Sequence, residues 1–147
     1  MKAVLQRVSE AKVEVQGEIV GQIGPGLLIL LCIEKGDPEE RVVRWARRIP
    51  DLRVFSDEAG KMNVSLLETK NSVLVVSQFT LAANLTDKGR RPSFANAEAP
   101  DLARAAVDRF VTELKNLGVN VAEGRFGASM RVHLVNDGPV TFIIDEN

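Results

Sequence analysis

The sequence holds one cysteine, Cys32, and one histidine, His133, in 147 residues. A lone cysteine excludes a disulfide within the chain, which suits a reducing compartment. One histidine and one cysteine also leave a histidine-centred triad, or a zinc site on soft ligands, without its parts. No metal or other cofactor is expected. Cys32 lies in the apolar run at residues 27–33 and reads as a small buried hydrophobe. No apolar run approaches the roughly 20 residues a membrane span needs. The amino-terminal segment is charged and alternating where a signal peptide would be apolar. No membrane partner and a cytoplasmic location follow as expectations. The formal net charge of −1 excludes a globally basic binder of nucleic acid, so any RNA surface must be a local patch.

What is present suits one globular unit spanning residues 1–147. A chain of this length buries about two-thirds of the surface it exposes when unfolded. Apolar residues make up 45% and charged residues 27%, an ordinary balance for such a core. Residues 1–8 and 11–16 read as strands, the second because Ala11, Val13 and Val15 alternate with Lys12, Glu14 and Gln16. Residues 19–23 and the fully apolar 27–33 follow as strands after turns at Gly17 and at Gly24-Pro25-Gly26. Asp37-Pro38-Glu39-Glu40 predicts a helix start, with Asp37 as the cap, proline at the first helical position and Glu40 three residues after the cap. Val42, Trp45, Ala46 and Ile49 share one face of that helix, and Pro50 ends it. Residues 52–55 read as a short strand. A central strand is predicted over 73–80. A second helix opens at Pro100-Asp101, with Leu102, Ala106, Val107, Phe110, Leu114 and Leu117 as its apolar stripe and Gly118 as its carboxy-terminal cap. Residues 119–123, 129–135 and 140–144 read as the remaining strands.

Residues 27–55 and 73–123 repeat one pattern: apolar strand, loop, Asp/Pro-opened helix, strand. The expected fold class is therefore α/β, a single compact three-layer domain. Right-handed crossovers place two helices on one face of a mixed β-sheet, and β-hairpins cover the other.

Four stretches carry residues that local structure does not require. Val73-Leu74-Val75-Val76 is a strand covered on both faces, yet it ends in Ser77-Gln78-Phe79-Thr80. A polar cluster at the end of an apolar strand is where open α/β sheets hold ligands; the same hydroxyls also serve to bond fraying backbone. Lys88, Arg90 and Arg91 stand with Gly89 and Phe94 in the long connection 84–100. They suit phosphates and base stacking, or equally a solvated loop. Gly124-Arg125-Phe126-Gly127-Ala128-Ser129-Met130 sets small residues around an aromatic ring. It would let a flat ligand approach the backbone, or simply turn a hairpin. Asn136-Asp137-Gly138-Pro139 has turn composition and reads as a hairpin between the last two strands.

Taken together and in order, these stretches resemble the D-aminoacyl-tRNA deacylase family, also described as D-tyrosyl-tRNA deacylase. The resemblance spans the chain. It starts at Met1-Lys2-Ala3-Val4-Leu5-Gln6-Arg7-Val8 and continues through Gly60-Lys61-Met62-Asn63 and Ser77-Gln78-Phe79-Thr80-Leu81. It then takes in Gly89-Arg90-Arg91-Pro92-Ser93-Phe94, Phe126-Gly127-Ala128 with Met130, and Asn136-Asp137-Gly138-Pro139-Val140-Thr141. Two departures stand out: the loop at 82–88 is one residue longer than the family pattern, with Asn84 where aspartate is expected, and Ser129 replaces a common aspartate.

The resemblance implies an editing hydrolase that cleaves the ester of D-aminoacyl-tRNA, and of glycine on a non-cognate tRNA, working as a homodimer. Phe79 and Thr80 would act through their backbone amides, beside Ser77 and Gln78. Gly138 and Pro139, joined by a cis peptide, would reach into the pocket of the other subunit and select chirality, braced by Arg7. Phe126, Gly127, Ala128 and Met130 would line the adenosine site, and Lys88, Arg90 and Arg91 would meet tRNA phosphates. Other readings of the same residues are an ester or amide hydrolase acting on a small aminoacyl substrate without RNA, and a non-catalytic RNA-binding or dimerisation module.

Overall fold

The structure, a computed structural model, describes residues 1–86 and 90–146. A long strand, β1 (Lys2–Val15), turns at Gln16 and Gly17 into β2 (Glu18–Ile23), which returns antiparallel beside it. β3 (Gly26–Cys32) runs antiparallel along the first half of β1, with Ala3 opposite Leu31 and Arg7 opposite Leu27. Residues 9 and 10 do not break β1 into the two strands expected. The last strand, β8 (Arg131–Asp145), pairs with it across that point, and register shifts absorb the bend.

Helix α1 (Glu39–Arg48) leads from β3 toward β6 (Ser72–Ser77), and α3 (Pro100–Asn116) leads from β6 to β7 (Asn120–Glu123). β3, β6 and β7 are mutually parallel neighbours, giving the order β2-β1-β3-β6-β7 with β8 on the free side of β1. β6 therefore closes the first crossover and opens the second. The expected return at residues 52–55 does not occur. Phe55–Ser56 (β4) pairs instead with Met62–Val64 (β5) in a separate two-stranded sheet, followed by a short helix α2 (Leu66–Thr69). The physical reason is length and charge: Arg53 interrupts a short apolar stretch there, whereas Val73 to Val76 are four consecutive buried aliphatic residues.

Period-two alternation assigns the two faces of the sheet. Leu27, Ile29, Leu31, Val73 and Val75 point toward α1 and α3, meeting Val42, Ala46, Phe110, Val111 and Leu114. Leu28, Leu74 and Val76 point the other way, toward Ala11, Val13, Val15 and Ile23 of the outer β1–β2 layer. Val132 and Leu134 of β8 pack against that second cluster. The result is three layers with both long helices on one side. Each fully buried aliphatic side chain stabilises this arrangement by about 1.5–3 kcal/mol.

Two local expectations change. Asp37 does not cap α1: its carboxylate accepts from the Met1 ammonium at 2.6 Å, from Arg41 at 2.6 Å and from the Glu34 N–H at 2.7 Å. The helix begins one residue later than expected, at Glu39, without a side-chain cap. Asn136–Pro139 also does not turn a hairpin, because β8 runs through it. Val8 faces Asn136 and Gln6 faces Thr141, so residues 137–140 bulge out opposite Arg7 alone. A composition that favours turns is used here to loop four residues out of a continuing strand. The cap expected at the end of the second helix holds. Gly118 takes φ +80° just past α3, as a capping glycine does, although Leu102 and Leu117 at the ends of the stripe are exposed.

Candidate active site

β6 ends at Ser77, with Ser77 in register with Leu31 of β3, and the Gln78 N–H still donates to Leu31 O at 2.8 Å. The predicted strand over 73–80 thus stops earlier, and Phe79–Ala82 winds into a 3₁₀ turn. The first two N–H groups of such a turn have no acceptor within it. Among the described residues no other backbone acceptor takes the N–H of Phe79 or Thr80. Two donors therefore stand free side by side at the carboxy end of the sheet.

A cavity of about 480 Å³ opens at that end. Ser77, Gln78 and Phe79 form one wall, and Phe126, Gly127, Ala128 and Met130 form the facing one. The second wall is held by its own turn: Gly124 N–H bonds Val75 O at 2.9 Å, Ala128 N–H bonds Arg125 O at 3.1 Å, and the Met130 sulfur lies 3.3 Å from the Arg125 nitrogen. Ala97, Glu98, Pro100, Ala103 and Val107 close the cavity from the long loop and the start of α3. Phe79 is exposed at the rim, where its ring meets Phe94 edge-on at 5.1 Å.

Two stretches named from sequence for a ligand thus meet across one cavity. Others do not join them within the chain. Thr80 is exposed and outside the lining; its hydroxyl accepts from the Gln78 side-chain amide. Arg7, Gly138 and Pro139 lie at the opposite end of the sheet. Arg7 donates from Nε to Asp137 O and from a terminal nitrogen to Val54 O, both at 2.9 Å, and its Nε lies 3.6 Å from the Asp137 carboxylate. Asn136 completes the clamp, donating to Arg7 O and Val140 O and accepting the Val140 N–H. The Gly138–Pro139 peptide is cis, and both residues are exposed. Arg90 and Arg91 are exposed in the loop whose ends are bridged by Asn84 and Ser93. Lys88 lies outside the described residues.

Sequence reasoning missed several cavity residues. Cys32 reads as core, yet its buried thiol lines the cavity floor, 3.6 Å from Phe79 O. Burial, with Glu34 nearby, pushes that thiol up to about 11, so it stays neutral at physiological pH. The loop contribution from Ala97 to Pro100 carries no periodic signal, and only its position between a strand end and a helix start hints at it. A wider hollow of about 790 Å³ lies between α1 and α3, but Arg47 and Arg109 there are paired with Glu113. It reads as a structural ion network. Among the described residues no three His, Cys, Asp or Glu side chains converge, and no helix is long and apolar enough to cross a membrane.

Known proteins resemble this chain along almost its whole length. D-aminoacyl-tRNA deacylase of Geobacter sulfurreducens is 57% identical over 145 residues, covering 99% of this chain and 95% of that protein. The enzyme of the same name from Paracoccus denitrificans is 53% identical, covering 99% and 97%. A solved structure described as a c-Myc DNA unwinding element binding protein superposes with TM-score 0.91 at 38% identity, over 100% of this chain and 99% of that one. A probable eukaryotic D-amino acid tRNA deacylase, at 19% identity and TM-score 0.86 over 99% and 98%, shares the fold. The profile of one family, described as D-Tyr-tRNA(Tyr) deacylase, matches residues 4–145. With its cavity at the end of β6 and its sequence aligned almost from end to end, the chain belongs to the D-Tyr-tRNA(Tyr) deacylase family of hydrolases.

Proposed function

We propose that this protein is a single-domain cytoplasmic editing enzyme that hydrolyses the ester of D-aminoacyl-tRNA, and of glycine on non-cognate tRNA, while sparing L-aminoacyl-tRNA. The observation that carries this reading is the cavity itself. It is walled by the strand end at Ser77, Gln78 and Phe79, with the unclaimed N–H groups of Phe79 and, just outside the lining, of Thr80, and by small residues around Phe126, without a paired side-chain nucleophile and base among the described residues. An aminoacyl ester is already activated, so hydrolysis needs less help than cleavage of a peptide. Adenosine sits against Phe126, Gly127, Ala128 and Met130. Water attacks the carbonyl carbon, positioned by the 2′-hydroxyl of the RNA. The N–H groups of Phe79 and Thr80 hold the oxyanion; donors of this kind are each worth about 10²–10³ in rate. The carbon–oxygen ester bond breaks, the 3′-oxygen takes a proton, and free amino acid leaves.

Chirality demands a repulsive element, because D and L substrates carry identical groups. The projecting Gly138–Pro139 segment, exposed and clamped by Arg7 and Asn136, supplies a rigid backbone edge. Within one chain it stands at the far end of the sheet from the cavity, so the active unit is a homodimer in which each subunit completes the other's pocket. Arg90 and Arg91, with Lys88, meet phosphates near the tRNA end. The test is hydrolysis of D- and L-aminoacyl-tRNA by catalytic amounts of purified protein, with light scattering at assay concentration. D-substrate turned over by a dimer, with L-substrate intact, is expected. Failure on the D-substrate, equal turnover of both isomers, or a fully active monomer overturns the corresponding part.

A further inference from the structure

The arginines along α1 and α3 divide into two groups. Arg41, Arg44, Arg47 and Arg109 each meet a carboxylate: Asp37, Glu146, and Glu113 for the last two. Arg104 differs. Among the described residues no carboxylate lies within ion-pairing distance of it, and no hydrogen bond engages its guanidinium. Its one partner is the ring of Phe126, with the guanidinium carbon 4.8 Å from the ring centroid. Phe126 is a wall of the cavity, and so are Ala103 and Val107, one residue before Arg104 and three after it on α3. Arg104 is thus an exposed cation held at the rim of the proposed adenosine site.

Stacking over an aromatic ring uses the flat face of the guanidinium. It leaves the five N–H donors around the edge free, in the fork that matches two oxygens of one phosphate. The ring also fixes the cation in place, so little side-chain freedom remains to be lost on binding. A nucleoside seated against Phe126 carries its 5′-phosphate out past the rim, because the base and ribose occupy the cavity.

We propose that Arg104, braced on Phe126, is a phosphate-binding position that takes the phosphodiester leading into the terminal nucleotide of the substrate. This rests on the deacylase reading and adds to it a fixed contact from α3, on the helix side of the cavity and apart from the loop bearing Arg90 and Arg91. If Arg104 merely covers the outer face of Phe126, its removal disturbs every substrate alike.

The experiment compares D-aminoacyl-tRNA with 3′-O-D-aminoacyl-adenosine, which has no 5′-phosphate, on wild type and Arg104→Ala. The expected result is a fall of about tenfold in kcat/KM on the tRNA substrate, mostly through KM, and a change within about twofold on the adenosine ester. The slope of log kcat/KM against log salt becomes shallower by about 0.7, the loss of one single-strand phosphate contact. Arg48→Ala serves as control, since Arg48 also stacks on an aromatic ring, that of Trp45, but outside this cavity; it leaves both measurements unchanged. Equal losses on the two substrates, or an unaltered salt slope, overturn the phosphate position while leaving the deacylase reading intact. A wild-type protein inactive on both substrates overturns that reading and this inference with it.

Discussion

The two ends of the β3–β6 sheet are built by opposite means. At the carboxy end, a cavity is walled mostly by small residues and apolar side chains, with Ser77, Gln78 and Glu98 among them and the unclaimed main-chain N–H groups of Phe79 and Thr80 at its edge. At the other end, four residues loop out of β8 and are tied down by the side chains of Arg7 and Asn136. Arg7 faces Leu27 and the cavity begins at Leu31, a separation along the strand of roughly 13 Å at about 3.3 Å per residue. Each end lacks what the other has. The cavity has room and donors but, among the described residues, no projecting backbone segment to serve the proposed reading of handedness. The bulge is rigid and exposed but stands outside the cavity of its own chain. In the proposed dimer, that clamp would fix the shape of a segment presented to the partner subunit.

The comparison breaks most completely at Gly138. A methyl group added there meets the Val140 nitrogen at 2.2 Å and Val140 Cγ2 at 2.7 Å, so Gly138→Ala must reshape the bulge. Hydrolysis of D-aminoacyl-tRNA is expected to fall about 100-fold, the scale on which a misplacement of about 1 Å acts, while circular dichroism stays native. An active, fully selective Gly138→Ala protein would show that the bulge is only a connection. Arg7→Ala comes next. It removes charge-assisted bonds to Asp137 O and Val54 O, each worth about 1.5–3 kcal/mol. Activity is expected to drop about tenfold, the ratio of D to L hydrolysis to narrow, and the melting temperature to fall by roughly 10–20 °C, at about 3 °C per kcal/mol for a chain of this size. Arg7→Lys should not rescue, because one ammonium cannot span both carbonyls. Full rescue by lysine would reduce the role of Arg7 to charge.

These two ends were not equally legible. The cavity walls were, since Ser77-Gln78-Phe79 breaks an apolar strand with polar residues and Phe126-Gly127-Ala128 breaks the chain with small ones. The helices and buried strands were readable too, because Leu28, Leu74 and Val76 or Val107, Phe110 and Leu114 follow local periods. The bulge was hidden. Asn136-Asp137-Gly138-Pro139 has the composition of a hairpin, and what keeps β8 running through it is pairing with β1, more than 120 residues away in sequence. The cap at Asp37 failed for the same reason: the Met1 ammonium, remote in sequence, takes the carboxylate. Arg104 carried no motif at all; only the fold sets it beside Phe126.

Thr80→Ala is expected to retain activity within about tenfold, since the Thr80 hydroxyl is an acceptor for the Gln78 amide and no base among the described residues bonds to it. Complete loss with tRNA binding intact, together with a trapped acyl-enzyme in the parent, would instead establish Thr80 as the nucleophile.

The smallest effect belongs to Glu98, the one carboxylate among the residues lining the cavity. It is the side chain to which a conventional mechanism would assign the general base. Its geometry argues otherwise. One carboxylate oxygen accepts the N–H of the next residue, Ala99, at 2.7 Å, so the group is turned along its own backbone at the entry to α3. If water is positioned by the RNA 2′-hydroxyl and the oxyanion by main-chain donors, Glu98→Gln preserves both the Ala99 bond and the rate, within about threefold. The pH–rate profiles separate the two mechanisms more sharply than the rate does. A carboxylate base gives the wild type an acid limb that the glutamine variant lacks, whereas a backbone site gives profiles that superimpose. Cys32, held neutral with its thiol pushed up to about 11, adds no limb of its own between pH 5 and about 9. Superimposed profiles are the expected outcome; loss of the acid limb together with a rate fall beyond about 100-fold would return the chemistry of this cavity to a side chain.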